Sequence, residues 1–261
     1  MIKTSVLLLL LFLSAFVLNH TIVKNNIIKI PNNIVGVVFI LISLPLIELD
    51  VSLWTGISSL LLVLLYDQLL NFSHLLNIKN AIFKTGFILG LMTLTYSGFS
   101  YFYPIILVSL FYYSQFNWKH MAIQLMGLFY PLGFVYVISK IYTPLNLFSI
   151  LPKYNQNFSN ALHDYYLWGF IVLAIFILSI QELYKNYYRK TEKAKKGFNI
   201  LFFFSAFIIS YTLLFKSVLL THLVSIPVSI LVANYLIYIK NVKFRTFLLG
   251  LLCLSFIFKF F

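Results

Sequence analysis

Only one cysteine, Cys253, occurs in the chain, and it stands inside an apolar run. A disulfide within one chain is therefore excluded, and so is a metal site built on thiolates. Carboxylates are nearly as scarce: six Asp and Glu among 261 residues, against nineteen Lys and Arg. Charged residues of both signs make up 10% of the chain, where soluble domains carry about 25%. There is no GxGxxG, no phosphate-binding Gly-Lys-Ser/Thr loop and no nucleophile elbow. No internal repeat is visible either, which weighs against transporter folds assembled from paired halves.

What the chain has instead is hydrocarbon. It is 61% hydrophobic, with a mean hydropathy of +0.95, and a water-soluble fold of this size has too little polar surface to cover that much apolar side chain. The runs are solid rather than alternating, so the spanning elements are expected to be helices and not barrel strands. The expected fold is all-α: a polytopic transmembrane helical bundle forming one integral membrane domain over 1–261. The net charge of +13 is spread singly between apolar runs, apart from one cluster. That is the pattern of loops on the cytoplasmic side, not of a phosphate-backbone-binding face, and nucleic acid is not expected as a partner. The bias towards Phe, Ile, Leu, Tyr, Lys and Asn is that of an AT-rich, bacterial genome. The expected location is thus the inner membrane, and single aromatic residues carry little functional weight.

A span needs roughly 17 to 25 mainly apolar residues, and fewer when packed inside a bundle. On that criterion about ten spans are expected: Thr4 to Val23, Ile34 to Leu49, Leu53 to Leu70, Thr85 to Gly98, Phe102 to Gln115, Met121 to Ile138, Tyr166 to Tyr184, Phe198 to Phe215, Val218 to Ile239 and Phe244 to Phe261. The fourth and fifth are short and joined by TYSGFSYFYP, so residues 85–115 read as a short helical hairpin or a re-entrant pair. The opening segment imitates a signal peptide, but lacks a small-x-small cleavage site and is read as a retained first span. Fourteen of the nineteen basic residues fall in the odd-numbered connections, six of them in a basic loop over 185–197. The excess places those connections in the cytoplasm and both termini outside. Trp54, Trp118 and Trp168 fall at span ends, where indole favours the headgroup region. Pro45, Pro104, Pro131 and Pro227 fall within or at the edges of spans, where kinks are tolerated.

Chemistry, if any, has few candidates. In LPLIELDVSLWTG, residues 44–56, Glu48 and Asp50 stand between two apolar runs. On a helix, positions two apart point some 200° away from each other, whereas in an extended turn they can share a site. The longest external connection, 139–165, holds Lys140, Lys153, His163 and Asp164 together with the amphipathic stretch TPLNLFSILP. Lys216 falls in a tight outer turn, and His222 about one turn into the ninth span. One reading makes the acids a polar turn that keeps the chain at the outer surface, and His222 a neutral imidazole bonded to a neighbouring helix. The other gathers Glu48, Asp50, His163, Asp164, Lys216 and His222 as catalytic candidates around an outward cavity, a carboxylate base and cations facing a pyrophosphate. The function expected on the first reading is a transporter-like or complex-forming subunit of the cell envelope. On the second it is a glycosyltransferase- or polymerase-like membrane enzyme acting on lipid-linked sugars. The partners are then membrane lipids, other membrane proteins or a polyprenyl-linked substrate.

Five histidines, His20, His74, His120, His163 and His222, raise a membrane iron or zinc enzyme. No two of them have the i, i+3 or i, i+4 spacing that places two ligands on one helix face, so no metal and no other cofactor is expected. The cluster KNYYRKTEKAKKG reads as a positive-inside anchor touching anionic lipids. Asp67 and Glu182 are placed to pair with Lys84 and Lys185 near the cytoplasmic ends of their spans.

The stretch KNAIFKTGFILGLMTLTYSGFSYFYPIILVSLFYYSQFNWKHMAIQLMGLFYPLGFVYVI, residues 79–138, combines a Lys-Asn start, a Gly-rich span, an aromatic-Pro hairpin, a basic Trp turn and a Gly127-x-x-x-Pro131 span. It resembles the middle of an uncharacterised family of multipass inner-membrane proteins from Bacteroidetes-type bacteria. The resemblance covers about a quarter of the chain. It implies a multipass helical fold and carries no site residue with it, since the family has no assigned activity.

Overall fold

The computed structural model describes residues 2–30, 32–47, 53–73, 78–142, 166–215 and 222–260. Glu48, Asp50, Lys153, His163, Asp164 and Lys216, and most of the 139–165 connection, lie outside them. Among the described residues there is no strand. The α-helices are α1 (Ile2–Lys24), α2 (Ile34–Ile47), α3 (Leu53–Leu70), α4 (Ile78–Thr95), α5 (Tyr103–Tyr112), α6 (Trp118–Tyr142), α7 (Tyr166–Asn186), α8 (Glu192–Phe215), α9 (Ser225–Tyr238) and α10 (Val242–Phe260). One helix thus falls in each of the ten apolar runs. Four segments, Thr4–Lys24, Leu53–Leu70, Trp118–Ile138 and Leu167–Arg189, are both long enough and apolar enough to cross a membrane; Ile34–Leu46, Gly98–Tyr112 and His222–Tyr238 are apolar but shorter.

Several boundaries differ from the sequence reading; α6, read as Met121 to Ile138, runs from Trp118 to Tyr142 and so takes in the start of the 139–165 connection. Helix α4 begins seven residues before Thr85, taking in Lys79 and Lys84, because nothing in IKNAIFK breaks a helix. The basic stretch 185–197 is mostly helical: α7 runs to Asn186, a 3-10 turn covers Tyr187–Arg189, and α8 starts at Glu192. The aromatic connection is a 3-10 turn, Ser97–Phe102, running into the ten-residue α5. Pro104 lies in the first turn of α5 and Pro227 in the first turn of α9, where the missing N–H has no intrahelical partner to lose. Pro45 and Pro131 stand inside helices.

Asparagine supplies many of the helix ends. Asn32 accepts from the Ile34 N–H at 3.1 Å, and Asn241 from the N–H groups of Lys243 and Phe244 at 3.1 and 3.4 Å; Thr191 caps α8 through the Ala194 N–H. These side chains take donors that the first helical turn leaves free. At the end of α1, Asn26 has φ 51°, and the Ile27 N–H reaches back to the Ile22 carbonyl at 3.1 Å. After α5, Ser114 has φ 57° and the Gln115 N–H bonds the Leu110 carbonyl at 2.8 Å. Both helices thus close with a left-handed residue that lets the chain satisfy its last carbonyls. Hydroxyls inside the helices turn to their own backbone, as Ser14, Thr85, Ser109, Ser179 and Ser255 do. A hydroxyl satisfied within its own helix can sit in hydrocarbon.

The chain divides into two compact units, with the boundary inside α3, after Gly56. In the first unit, residues 1–56 and 154–261, α9 packs against α2 and α7, α10 against α7 and α2, and α1 against α2. Every residue from Ser225 to Ile237 is buried. A helix that is apolar on all sides needs such a surround. Val38, Ile42, Ile175, Val232, Leu236 and Leu252 meet in the core that results.

In the second unit, residues 57–153, α4 and α6 approach backbone to backbone through Gly86, Gly90 and Gly127. A Cβ at Gly90 would stand 2.5 Å from both the Leu128 carbonyl oxygen and Pro131 Cγ, one at Gly86 would strike the Gln124 carbonyl oxygen, and one at Gly127 the Phe83 carbonyl oxygen. Small residues four apart allow this contact between helices. Phe87 meets Tyr130 across it, ring centroids 6.1 Å apart. The side-chain amide of Gln124 is fully buried and has no hydrogen-bond partner among the described residues. An unpaired buried amide costs about 1–3 kcal/mol. Gln124→Leu is therefore expected to stabilise the protein by about 1 kcal/mol, read as a later midpoint when it is unfolded by SDS in mixed micelles; an earlier midpoint would show that the amide is satisfied in the membrane.

Both units expose large apolar side chains. Phe16, Phe111, Trp118 and Phe170 are each more than 70% exposed, and Met126, Phe134 and Leu173 more than half. Hydrocarbon is the solvent in which such an exterior carries no penalty.

Candidate functional site

Three connections of the first unit meet around one open cavity of about 750 Å³. Lys29 comes from the segment between α1 and α2. Glu182, Lys185 and Asn186 come from the end of α7, and Arg189 and Lys190 from the turn that follows. Asn234, Tyr235 and Tyr238 come from α9, and Lys240 from the turn before α10. Five cations thus face one carboxylate.

Lys190 is the centre of it. Its Nζ donates to Asn234 Oδ1 at 2.6 Å and stands 4.1 Å from the centroid of the Tyr238 ring and 5.4 Å from that of Phe198. Asn234 is 2% exposed. Burial, with a further push from the Lys29 charge and a partial offset from Glu182, lowers the Lys190 ammonium to about 8. A neutral amide and two ring faces hold the cation, and no carboxylate of the described residues lies within ion-pair distance of it. Tyr238 is fixed in turn: its hydroxyl accepts from the Lys29 N–H at 3.3 Å. Glu182 is engaged by Asn186, one turn on, whose side-chain amide donates to Oε1, rather than by Lys185 as the sequence suggested. Asp67, in the second unit, accepts from Gln68 and Asn71 at 3.3 and 3.4 Å. The other described acid of the first unit, Glu192, forms an ion pair of 2.8 Å with Lys195; that hydrogen bond and charge hold its carboxyl below the usual range. The local acids are thereby occupied, and the cavity keeps a surplus of positive charge.

A second cavity of about 320 Å³ lies in the same unit, against α2, α7, α8 and α9, and is lined by Ile42, Trp168, Val172, Phe176, Ile209 and Val228 among others. Its walls are almost wholly apolar. Trp168, which the sequence placed in an interfacial belt with Trp54 and Trp118, is 8% exposed and turned into this cavity.

Of the six catalytic candidates, His222 alone is among the described residues. It is 1% exposed, in the turn leading into α9, and its carbonyl accepts from Ser225 Oγ at 2.5 Å. Glu48, Asp50, His163, Asp164 and Lys216 lie outside the described residues. Among the described residues no three His, Cys, Asp or Glu side chains gather to hold a metal ion. The sequence reading did pick out the basic cluster, but as an anchor; Asn234 and Tyr238 gave no signal, since Asn234 lies 44 residues from Lys190 inside an apolar run.

No family model matches the chain, and neither a curated protein nor a solved structure does.

Proposed function

We propose that the chain is a multipass protein of a bacterial inner membrane, its ten helices embedded as about ten spans, that acts as a binding or complex-forming subunit of the envelope. The observation that carries this reading is the charge geometry. The apolar helix exteriors are fitted to lipid, and the first, seventh and ninth connections, which a positive-inside threading places in the cytoplasm, bring their lysines to one cavity. No acid–base pair is set in that cavity: its one carboxylate is taken up by Asn186, and its centre is a lysine held by an amide and rings. Such a site is suited to holding an anion.

The test is labelling in intact cells. Single cysteines at Lys193 and Lys140, in a Cys253→Ser background, are treated with an impermeant maleimide. Expected is labelling at position 140 and protection at 193 until the cells are opened. Labelling at 193 in intact cells would place the basic cavity outside and end this reading.

A further inference from the structure

The cavity around Lys190 is larger and more polar than a positive-inside anchor requires. Loop lysines that serve only as topology signals keep their ammonium groups in water. Here one ammonium is drawn under a tyrosine ring and onto a buried amide, with four further cations around it. Bringing like charges together in a half-buried site is costly unless an anion completes it. The chain supplies one carboxylate there, and Asn186 engages it.

We infer that this cavity is a binding site for the phosphate group of an anionic membrane lipid, a phosphodiester or phosphomonoester headgroup entering between the end of α7 and the turn before α10. The proposal rests on the membrane reading above, and it names the ligand of the same site. Three features point to a headgroup. Five of the lining residues carry cationic donors, Lys29, Lys185, Lys190, Lys240 and Arg189; the Arg189 guanidinium rests on Tyr188, with Nε donating to its hydroxyl at 2.8 Å, and its two terminal nitrogens can take two phosphate oxygens at once. The remainder of the lining is apolar or amphipathic, with Leu183, Ile239, Tyr238 and Phe244 beside those cations, as suits a ligand whose charged head continues into glycerol and hydrocarbon. Phe244 and Val242, where α10 begins at the cavity's edge, are 41% and 59% exposed, so the rim is continuous with a lipid-facing surface. Lys190 is the binding residue of the centre, and Asn234 and Tyr238 position it.

The experiment is native mass spectrometry of the detergent-purified full chain, with equal amounts of phosphatidylglycerol and phosphatidylcholine added. Expected is preferential retention of phosphatidylglycerol by the wild type, on the order of tenfold for several cations acting together. Lys190→Met and Arg189→Gln should each reduce the preference roughly fivefold, as the loss of one cation near an anionic headgroup does, while Lys140→Gln leaves it unchanged. Lys190→Met replaces a half-buried charge by an apolar chain of like length, so a folded variant is expected, and its thermal unfolding is recorded alongside. Millimolar inorganic phosphate is the second arm. If, with no lipid added, inorganic phosphate binds the wild type as tightly as phosphatidylglycerol does, and does not bind Lys190→Met, the site takes soluble phosphate and the lipid assignment is overturned. Equal retention of both lipids by folded wild type also overturns it. Either result can arise while the labelling pattern at 140 and 193 stands, and the reverse is equally possible, so the two readings fail separately.

Discussion

Gly86→Leu is expected to prevent the second unit from folding. A side chain at Gly86 would enter the carbonyl of Gln124 on α6, and its Cβ would also stand 3.1 Å from the Leu128 nitrogen. These obstacles are backbone atoms of a helix, so no rotamer change relieves them. Overpacking in a core costs about 1–3 kcal/mol when side chains can give way; here the two helices must separate, and the cost is about 3 kcal/mol or more. The paired contacts at Gly90 and Gly127 would then open as well, because they belong to the same face. Gly133→Leu, on α6 as well, is the control. Nothing stands within 4 Å of a Cβ at that position, and a leucine replaces the poorest helix former but proline, for a gain of about 0.5–1 kcal/mol. The measurement is the yield of monodisperse protein in detergent together with the SDS unfolding midpoint. Normal yield and midpoint for Gly86→Leu would mean that α4 and α6 do not meet through these glycines.

The second large effect is in the pH dependence of stability. The Lys190 ammonium is lowered to about 8 in the fold from an ordinary value of 10.5. Below pH 8 it is charged in both folded and unfolded chains, and the fold carries the full penalty of holding a charge partly out of water. Between about 8 and 10.5 the unfolded chain binds the proton and the folded one does not, so stability rises with pH; above that window the gain is complete. Solvent screening at this partly exposed group reduces the effect to about 1–2 kcal/mol. Lys29, Lys185, Arg189, Lys240, Glu182, Tyr235 and Tyr238 face the same cavity, so the informative quantity is a difference between proteins. Relative to the wild type, Lys190→Met is expected to lose about 1–2 kcal/mol of stability between pH 7 and pH 10.5, on top of a pH-independent cost of about 1–3 kcal/mol for the buried Asn234 amide it leaves unpaired. The curves are to be taken in a neutral detergent without anionic lipid, because a bound phosphate would favour the charged lysine and flatten the slope. Parallel curves for the two proteins would show that Lys190 is charged and solvated like any loop lysine.

Solid apolar runs require helices, because a backbone in hydrocarbon must bond within its own segment. Few carboxylates, one cysteine and no recurrent motif leave little room for a metal or nucleophile site. For these reasons the helical class and the positions of the ten described helices were legible in the residues alone, and so was the gathering of basic residues between the apolar runs. Helix lengths were less legible. Lys79, Lys84 and the basic stretch before Phe198 were read as loop because they are charged, whereas charge at a helix end is compatible with continuing the helix, and the lysines there simply reach for water. Trp168 was read as interfacial from its place in the chain; packing against α2 and α9 turned it inward. The Gly-rich span and the Gly127-x-x-x-Pro131 span were each read from the sequence, but glycine says only that something comes close, and that Gly86 and Gly90 meet Gly127 is known from the packing of α4 on α6. Lys190 shows the limit most directly. As a sequence position it is one basic residue among six, equivalent to its neighbours; its buried amide partner and its ring partners Tyr238 and Phe198 come from α9 and α8. Hydrophobicity and charge are properties of residues and so were determined by the sequence itself, whereas desolvation of one chosen lysine is a property of what surrounds it, and only the tertiary structure decided that.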